Sequence, residues 1–362
     1  MKKTTGRFAA ALIIAMGFFS NCASAPSSSP APAFSEDLWA EEVAAEDISL
    51  LYAPHVDEDG LFFNPWLLRS GQPRPEGGRG FLFRDKMRFK DFPAENYSWQ
   101  KNDYSYLKDK NFDSISFAGH ASTIIKMNGE TVFTDPFFSD SAVIVGKQVK
   151  IKFDFDKVPQ RPVVVISHNH YDHMDTYSIE ELIKKDAVFL VPLKLKRSFE
   201  ILGAKDVYEL DWWESVKIGE LTYTFLPVQH WSRRIGQKRN ATLWGSWLIQ
   251  GSKTVYFSGD TGYFCGFAEY GRRFNIDYAL IGAGAYEPRW FMHYSHMNVA
   301  EFIKTAADLK ARVALPVHFG VISLSDEPLL YPLYELDEYR KANPAEAGRF
   351  SPLRVGEYLR ME

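Results

Sequence analysis

Residues 163–173 read Val-Val-Val-Ile-Ser-His-Asn-His-Tyr-Asp-His, an apolar run that ends in three histidines and a carboxylate. Val163 to Ile166 predict a buried strand. His168 and His170 continue its period of two beyond the strand end, so they project to one side and can chelate one ion together. Asp172 and His173 are neighbours and would point oppositely in an extended chain. A tight turn into a helix predicted over 178–185 aims both at a second ion instead. Imidazole and carboxylate ligands suit zinc, and also iron or manganese. A turn that is merely polar is the competing reading, but the chain has only 9 histidines and three fall here beside an aspartate.

The 362 residues, 46% of them hydrophobic, are enough for a substantial core. The formal net charge of −4 gives no global basic field, so nucleic acid is set aside as a partner. At the amino terminus Lys2, Lys3 and Arg7 precede the short apolar segment 8–19, which has the charge order of an export signal. Cys22 follows, then a Pro/Ser/Ala tract. This arrangement resembles a bacterial lipoprotein, which implies acylation of Cys22 and anchoring in the cell envelope. Cleavage near Ala25 would give a soluble periplasmic or secreted protein. Cys265 is the only other cysteine, so with Cys22 removed or lipidated no intramolecular disulfide is available. The expected organisation is a signal peptide over 1–21, a flexible tether over 22–34, an extension over 35–110 packed on the core, and a catalytic domain over 111–362.

Short strand-like runs occupy 114–118, 123–127 and 131–134, with Asn128-Gly129 as a hairpin signal. Further strands are expected at 188–191, 221–228, 242–249, 254–257, 278–281 and 313–316, with a helix over 298–309. This alternation predicts an α/β fold in which two packed sheets are covered by helices, an αββα sandwich.

Ligands for a dinuclear site recur where later strands end. His230 closes Leu226-Pro227-Val228-Gln229-His230, Asp260 lies in Ser258-Gly259-Asp260, and His318 follows Ala314-Leu315-Pro316-Val317. Each alone reads as a turn or cap residue. Together with the first motif they complete a set: His168, His170, His230 and Asp260 for one ion, and Asp172, His173, His318 and the shared Asp260 for the other. Two ions roughly 3.5 to 4 Å apart can activate water and neutralise charge on a phosphoryl group.

By these residues the chain resembles the metallo-β-lactamase fold superfamily. Ile166 to His173, Gln229-His230-Trp231, Leu243 to Trp247 and Ala285 to Met292 narrow the likeness to N-acyl-phosphatidylethanolamine-hydrolysing phospholipase D. Phe117 to Ala121 and Thr134-Asp135-Pro136 also fit. The resemblance implies two Zn²⁺ ions, a phospholipid substrate met at a membrane surface, and release of phosphatidic acid and N-acylethanolamine. It also implies a further histidine near the phosphate, His296, for which a helix-cap role is the alternative. Asp172 and Asp260 are the catalytic carboxylates in this reading. Asp135 is a candidate to orient a ligand histidine, and His120 to line the site. Trp244, Trp247, Trp290, Phe291 and Met292 are candidates for an acyl-chain groove, and Arg233, Arg234 and Arg289 for phosphate. Two other functions compete: a lactonase or phosphodiesterase acting on a soluble substrate, and a non-catalytic envelope lipoprotein that binds lipid or metal. Oligomeric state and acyl preference are left open by the sequence.

Overall fold

A computed structural model describes residues 34–67, 85–102, 104–109, 112–149 and 152–362. The expected signal peptide, Cys22 and the tether up to residue 33 lie outside the described residues.

The run Val163–Ile166 explains the layering. Strand β6 (Val163–Val165) turns Val163 and Val165 into one apolar cluster, and Val164 and Ile166 into another. Strand β7 (Val188–Pro192) divides Val188 and Leu190 from Phe189 and Val191 in the same way. A strand with two apolar faces needs cover on both. Each buried Val, Ile or Leu side chain adds about 1.5–3 kcal/mol to that preference.

One sheet contains β1 (Ser114–Gly119), β2 (Ser122–Met127), β3 (Glu130–Thr134), β6, β7, β8 (Asp206–Leu210) and β15 (Tyr358–Arg360). Its order is β15-β1-β2-β3-β6-β7-β8, antiparallel from β15 to β3 and parallel from β3 to β8. The second has the order β14-β13-β12-β11-β10-β9, from β14 (Val313–Val317), β13 (Tyr278–Gly282), β12 (Thr254–Phe257), β11 (Ser246–Gln250), β10 (Leu221–Leu226) and β9 (Ser215–Ile218). Its β12, β13 and β14 are parallel, and the rest is antiparallel. The β2–β3 turn carries positive φ at both Asn128 (54°) and Gly129 (79°), the backbone a two-residue hairpin requires.

Helices α2 (Thr176–Ile183) and α3 (Lys196–Leu202) cover the first sheet with Ile179, Leu182 and Phe199. Helices α4 (Gly266–Arg273) and α6 (Val299–Asp308) bury Phe267, Tyr270, Phe302 and Ala306 in the cluster that includes the second sheet. The αββα architecture is therefore present. The extension adds α1 (Glu36–Ala44) and a 3₁₀ turn (Ile48–Tyr52), and its Trp39, Val43, Leu51, Phe62 and Trp66 join that same core.

The expected strand over 242–249 begins only at Ser246. Thr242 to Gly245 leave the ladder because their backbone is used across the sandwich: the Leu243 and Gly245 N–H groups donate to the carbonyls of Leu193 and Ser167. Elements absent from the sequence reading are α3, α4, β4 (Ser141–Ala142), β5 (Val145–Gly146), β8, β9, the short helix α5 (Arg289–Met292), α7 (Tyr331–Ala342), β15 and several 3₁₀ turns. Strands β8 and β9 end their sheets with exposed residues, so they lack the apolar runs of the interior strands. Helix α4 contains two glycines, which weakens its local signal.

Candidate metal centre

Strands β1, β3 and β6 of the first sheet and β10, β12 and β14 of the second deliver His120, Asp135, the 168–173 motif, His230, Asp260 and His318 from their carboxyl ends. Ligands in open α/β sheets collect at such ends. Main-chain bonds join the two edges here: His318 N–H donates to the His120 carbonyl, and His120 N–H to the Phe319 carbonyl, both at 2.8 Å. His120, Asp135 and His318 have φ of 56°, 34° and 69°, left-handed values that non-glycine residues adopt at some cost. Gly259 also has a positive φ, and a Cβ there would lie 2.5 Å from the Ser167 Cβ. After Asp172 the chain tightens, with the His173 and Met174 N–H groups donating to the His170 carbonyl. That turn brings Asp172 and His173 to one side.

Two sets of atoms result. In the first, His168 Nε2 and His170 Nδ1 are 2.8 Å apart, and His170 Nδ1 and His230 Nε2 are 3.3 Å apart. Asp260 Oδ2 lies 3.8 Å from both His168 Nε2 and His230 Nε2. In the second, His173 Nε2 is 3.4 Å from Asp172 Oδ2 and 3.1 Å from Asp260 Oδ2, while His318 Nε2 is 3.7 Å from Asp172 Oδ2 and 3.0 Å from Asp260 Oδ1. Donor atoms about 2.0–2.2 Å from one tetrahedral ion are separated by roughly 3.3–3.6 Å, so both sets are close to ligand spacing. Asp260 contributes to each. Moreover, His173 Nε2, His318 Nε2 and Asp260 Oδ1 are buried and form no well-aligned hydrogen bond among the described residues, although the two nitrogens lie 3.1 and 3.0 Å from the Asp260 carboxylate. A cation among them would satisfy all three, so the residues fit a dinuclear centre.

The charge distribution fits as well. Burial, reinforced by the neighbouring imidazoles, holds His168 and His230 well below the usual histidine range; burial also puts His170 at about 4. These rings are neutral, the form that binds metal. For His173 and His318 burial opposes protonation, but Asp260 and Asp172 outweigh it. Asp135 acts on His173 too, which is held well above the ordinary value, and His318 reaches about 9. Asp172 and Asp260 resist the upward push of burial through these same histidines and remain ionised. In the metal-free protein, protons on His173 and His318 thus stand where the second cation would supply charge.

A further shell fixes the ligands. Asp135, fully buried, accepts from His173 Nδ1 at 2.7 Å and from the Ser167 N–H at 2.7 Å. Ser167 Oγ lies 2.5 Å from Asp135 Oδ2 and 2.8 Å from His168 Nδ1, so one carboxylate orients a ligand of each set. His120 Nε2 is 2.7 Å from Asp172 Oδ2. Trp247 Nε1 donates to the Ile166 carbonyl at 2.9 Å from the opposite sheet. The extension reaches the His230 loop, with Asn64 Nδ2 donating to the His230 carbonyl at 3.0 Å and Trp66 Nε1 to Gln229 Oε1 at 3.3 Å.

His296 is not the helix cap. Asn298 caps α6, with Glu301 completing a capping box. His296 Nδ1 instead lies 3.9 Å from Asp260 Oδ2, and its ring stacks on His318 with centroids 5.2 Å apart. Arg289, a candidate for phosphate, is buried in an ion pair with Glu301 (2.7 Å), is 3.2 Å from Glu36, and donates through Nη1 to the His296 carbonyl at 3.0 Å. Its charge is used within the protein, and its effect on the site runs through His296. Trp244, a candidate for the acyl groove, is fully buried and donates Nε1 to the Val228 carbonyl and to Asn64 Oδ1. Trp247 is equally buried. Both tryptophans are core, whereas Trp290 and Phe291 are half-buried. The Arg234 guanidinium is held by the carbonyls of Asn169 and Met174. Sequence reasoning missed Ser167, Asn64, Trp66 and Glu301.

Two sheets whose facing ends gather seven histidine and aspartate side chains able to hold metal ions define the class as a metallohydrolase-type αββα protein. Residues 130–319 match the beta-lactamase superfamily domain, and the chain belongs to this metallo-β-lactamase fold superfamily. It is 34% identical over 244 residues to an uncharacterized protein of Mycobacterium tuberculosis, covering 64% of this chain and 65% of that one. It is 32% identical to the mitochondrial N-acyl-phosphatidylethanolamine-hydrolyzing phospholipase D of Saccharomyces cerevisiae, covering 61% of this chain and 50% of the relative. The corresponding phospholipase D 1 of Caenorhabditis elegans is 32% identical, with 63% and 69% covered. The match thus spans less than two thirds of the mycobacterial and yeast relatives. Among solved structures, a metallo hydrolase from Ignicoccus hospitalis superposes with a TM-score of 0.55 at 19% identity, covering 70% of this chain and 99% of that one. A diiron beta-hydroxylase from Streptomyces venezuelae does so with 0.54 at 22%, covering 69% and 54%. The fold alone therefore fixes neither metal nor reaction.

Proposed function

We propose that this metal-dependent hydrolase is a zinc enzyme of phospholipase D type, cleaving N-acyl-phosphatidylethanolamine or a related phospholipid at the head-group phosphodiester. The products are phosphatidic acid and an N-acylethanolamine. Two relatives carry that activity in their names. The observation that carries the reading here is His296, a histidine additional to both ligand sets, whose side chain retains 15% exposure beside the shared carboxylate.

Two divalent ions, when bound, polarise phosphoryl oxygens and lower the pKa of water. His168, His170 and His230 with Asp260 would hold one, and Asp172, His173 and His318 with Asp260 the other. His296 donates a hydrogen bond to a phosphoryl oxygen or to the departing alkoxide. His120 holds the Asp172 carboxylate in place, and Asp135 keeps the His173 proton on Nδ1. Export and envelope anchoring through an acylated Cys22 belong to the same proposal.

The test is incubation of the zinc-loaded full chain with a phospholipid panel and a lactone panel, followed by mass analysis of the products. Phosphatidic acid from N-acyl-phosphatidylethanolamine is expected; lactone opening with phospholipids intact sinks the proposal. Asp260→Asn should lose both metal occupancy and turnover, and full activity with both ions retained would refute a shared carboxylate.

A further inference from the structure

The segment 231–240, Trp-Ser-Arg-Arg-Ile-Gly-Gln-Lys-Arg-Asn, has four cations and no carboxylate in a chain of net charge −4. It begins against the metal centre, where the Trp231 and His170 rings lie 4.3 Å apart. Its base is tied to the metal motif itself. Arg233 N–H donates to Asn169 Oδ1 at 2.9 Å, Asn169 Nδ2 to Gln237 Oε1 at 3.0 Å, and Ile235 N–H to the Tyr171 hydroxyl at 3.1 Å. Arg234 lies over the Tyr171 ring and Arg239 over the Trp231 ring, at 4.0 and 4.1 Å. Arg234 and Arg239 are therefore engaged in holding the loop. Arg233, Ile235 and Lys238 are exposed, Ile235 by 65%.

A second apolar tip grows from the same place. The hairpin of β4 (Ser141–Ala142) and β5 (Val145–Gly146) exposes Val143 by 47% and Ile144 by 85%. Its root is fixed by the Phe138 and Ser139 N–H groups, which donate to Asp175 Oδ2 at 3.2 and 3.0 Å. Asp175 follows Met174, whose carbonyl accepts from Arg234 at 2.9 Å. Both tips thus spring from the turn that closes the metal motif.

Scattered exposed apolar residues are ordinary on protein surfaces. A rigidly based isoleucine between two exposed cations, beside the metal centre, has a more specific chemistry. We infer that the 231–240 loop and the 141–146 hairpin form a docking surface for an anionic phospholipid bilayer, with Ile235 and Ile144 entering the headgroup–acyl boundary and Arg233 and Lys238 meeting lipid phosphates. Apolar tips with basic flanks bind such interfaces by combining burial with attraction to anionic lipid. The role rests on the phospholipid reading for its purpose, since it would set the metal centre at the surface that supplies substrate.

The test uses the zinc-loaded full chain carrying Cys22→Ser and Cys265→Ala, labelled with an environment-sensitive fluorophore at Ile235→Cys, Ile144→Cys or, for comparison, Ile201→Cys, which is 70% exposed on α3. A blue shift at 235 and 144 on phosphatidylglycerol-containing vesicles, with none at 201 and none on pure phosphatidylcholine, is expected. Lys238→Gln, in the otherwise natural chain, should lower vesicle partitioning about fivefold, while hydrolysis of soluble bis(p-nitrophenyl) phosphate stays unchanged. No shift, an equal shift at 201, or a shift that grows with protein concentration without vesicles overturns the inference, the last because a second copy would own the surface. Docking without any phospholipid cleavage would sink the functional reading and leave docking standing. Cleavage of detergent-dispersed phospholipid with no docking shift would sink docking alone.

Discussion

Replacing Asp135 with asparagine changes one atom in a residue that touches no metal-facing atom, yet it should weaken metal binding. The carboxylate is fully buried and only accepts, so the Ser167 N–H and His173 Nδ1, each 2.7 Å away, both donate to it. His173 therefore presents an unprotonated Nε2 to the metal site whenever it carries a single proton. An asparagine has one acceptor oxygen and an amide NH₂. If the NH₂ faces His173, the ring must move its proton to Nε2, where it blocks ligation. If the NH₂ faces the Ser167 N–H instead, a buried donor loses its partner at a cost of about 1–3 kcal/mol. Because Ser167 also bonds His168 Nδ1 at 2.8 Å, the disturbance reaches the first ligand set. Loss of such an orienting group typically lowers metal affinity about 10–100-fold, or roughly 1.4–2.7 kcal/mol. Competition with a chromogenic zinc chelator at pH 7 reads this directly, with the larger loss expected for the ion held by Asp172, His173 and His318. Two ions bound with wild-type affinity in Asp135→Asn would show that the carboxylate does not set the His173 tautomer.

Other perturbations follow from the same geometry. Arg289→Met leaves Glu301 as a buried unpaired carboxylate beside Trp39 and should cost about 3–5 kcal/mol of stability; adding Glu301→Gln should restore much of it in urea unfolding, and strictly additive losses would argue against the pair. In the same variants turnover should fall through His296 with zinc content unchanged. Zinc uptake by the metal-free protein at pH 7 should release about two protons, those of His173 and His318, because both are held above their usual value until a cation replaces them; calorimetry in buffers of different ionisation enthalpy counts them, and no release would contradict the charge distribution. Burial, partly offset by the Cys265 N–H, raises Glu46 to about 7. The stabilising contribution of its protonated form is complete below about pH 4.5 and is lost as pH rises through about 7. Glu46→Gln should therefore be more stable than wild type at pH 8 by up to about 3 kcal/mol and indistinguishable from it near pH 4.5, and parallel pH curves would sink this assignment.

The candidate metal-binding cluster was legible in the sequence because few residue types bind divalent ions and because each candidate follows an apolar strand, so the motif at 168–173, His230, Asp260 and His318 could be assembled from local patterns. The residues that hold those ligands in place carry no such mark. Asn64 reaches His230 across 166 positions and Trp39 reaches Glu301 across 262, and nothing in Asn-Pro-Trp or in a short amphipathic helix announces a partner that distant. Trp244 was misleading for a related reason: an indole suits both a lipid groove and a core, and only the acceptors found by its N–H decide between them. The lead-in segment consequently has a different standing from a simple cover. Through Asn64 and Trp66 it fixes the loop that delivers a ligand to the first ion. Through Glu36 and Trp39 it meets Arg289 and Glu301, which fix the carbonyl of His296. Residues 34–67 thus buttress both the metal set and the histidine assigned to the phosphate, so a substitution far from the metals in sequence, and outside the segment that matches the superfamily, can act on either step separately.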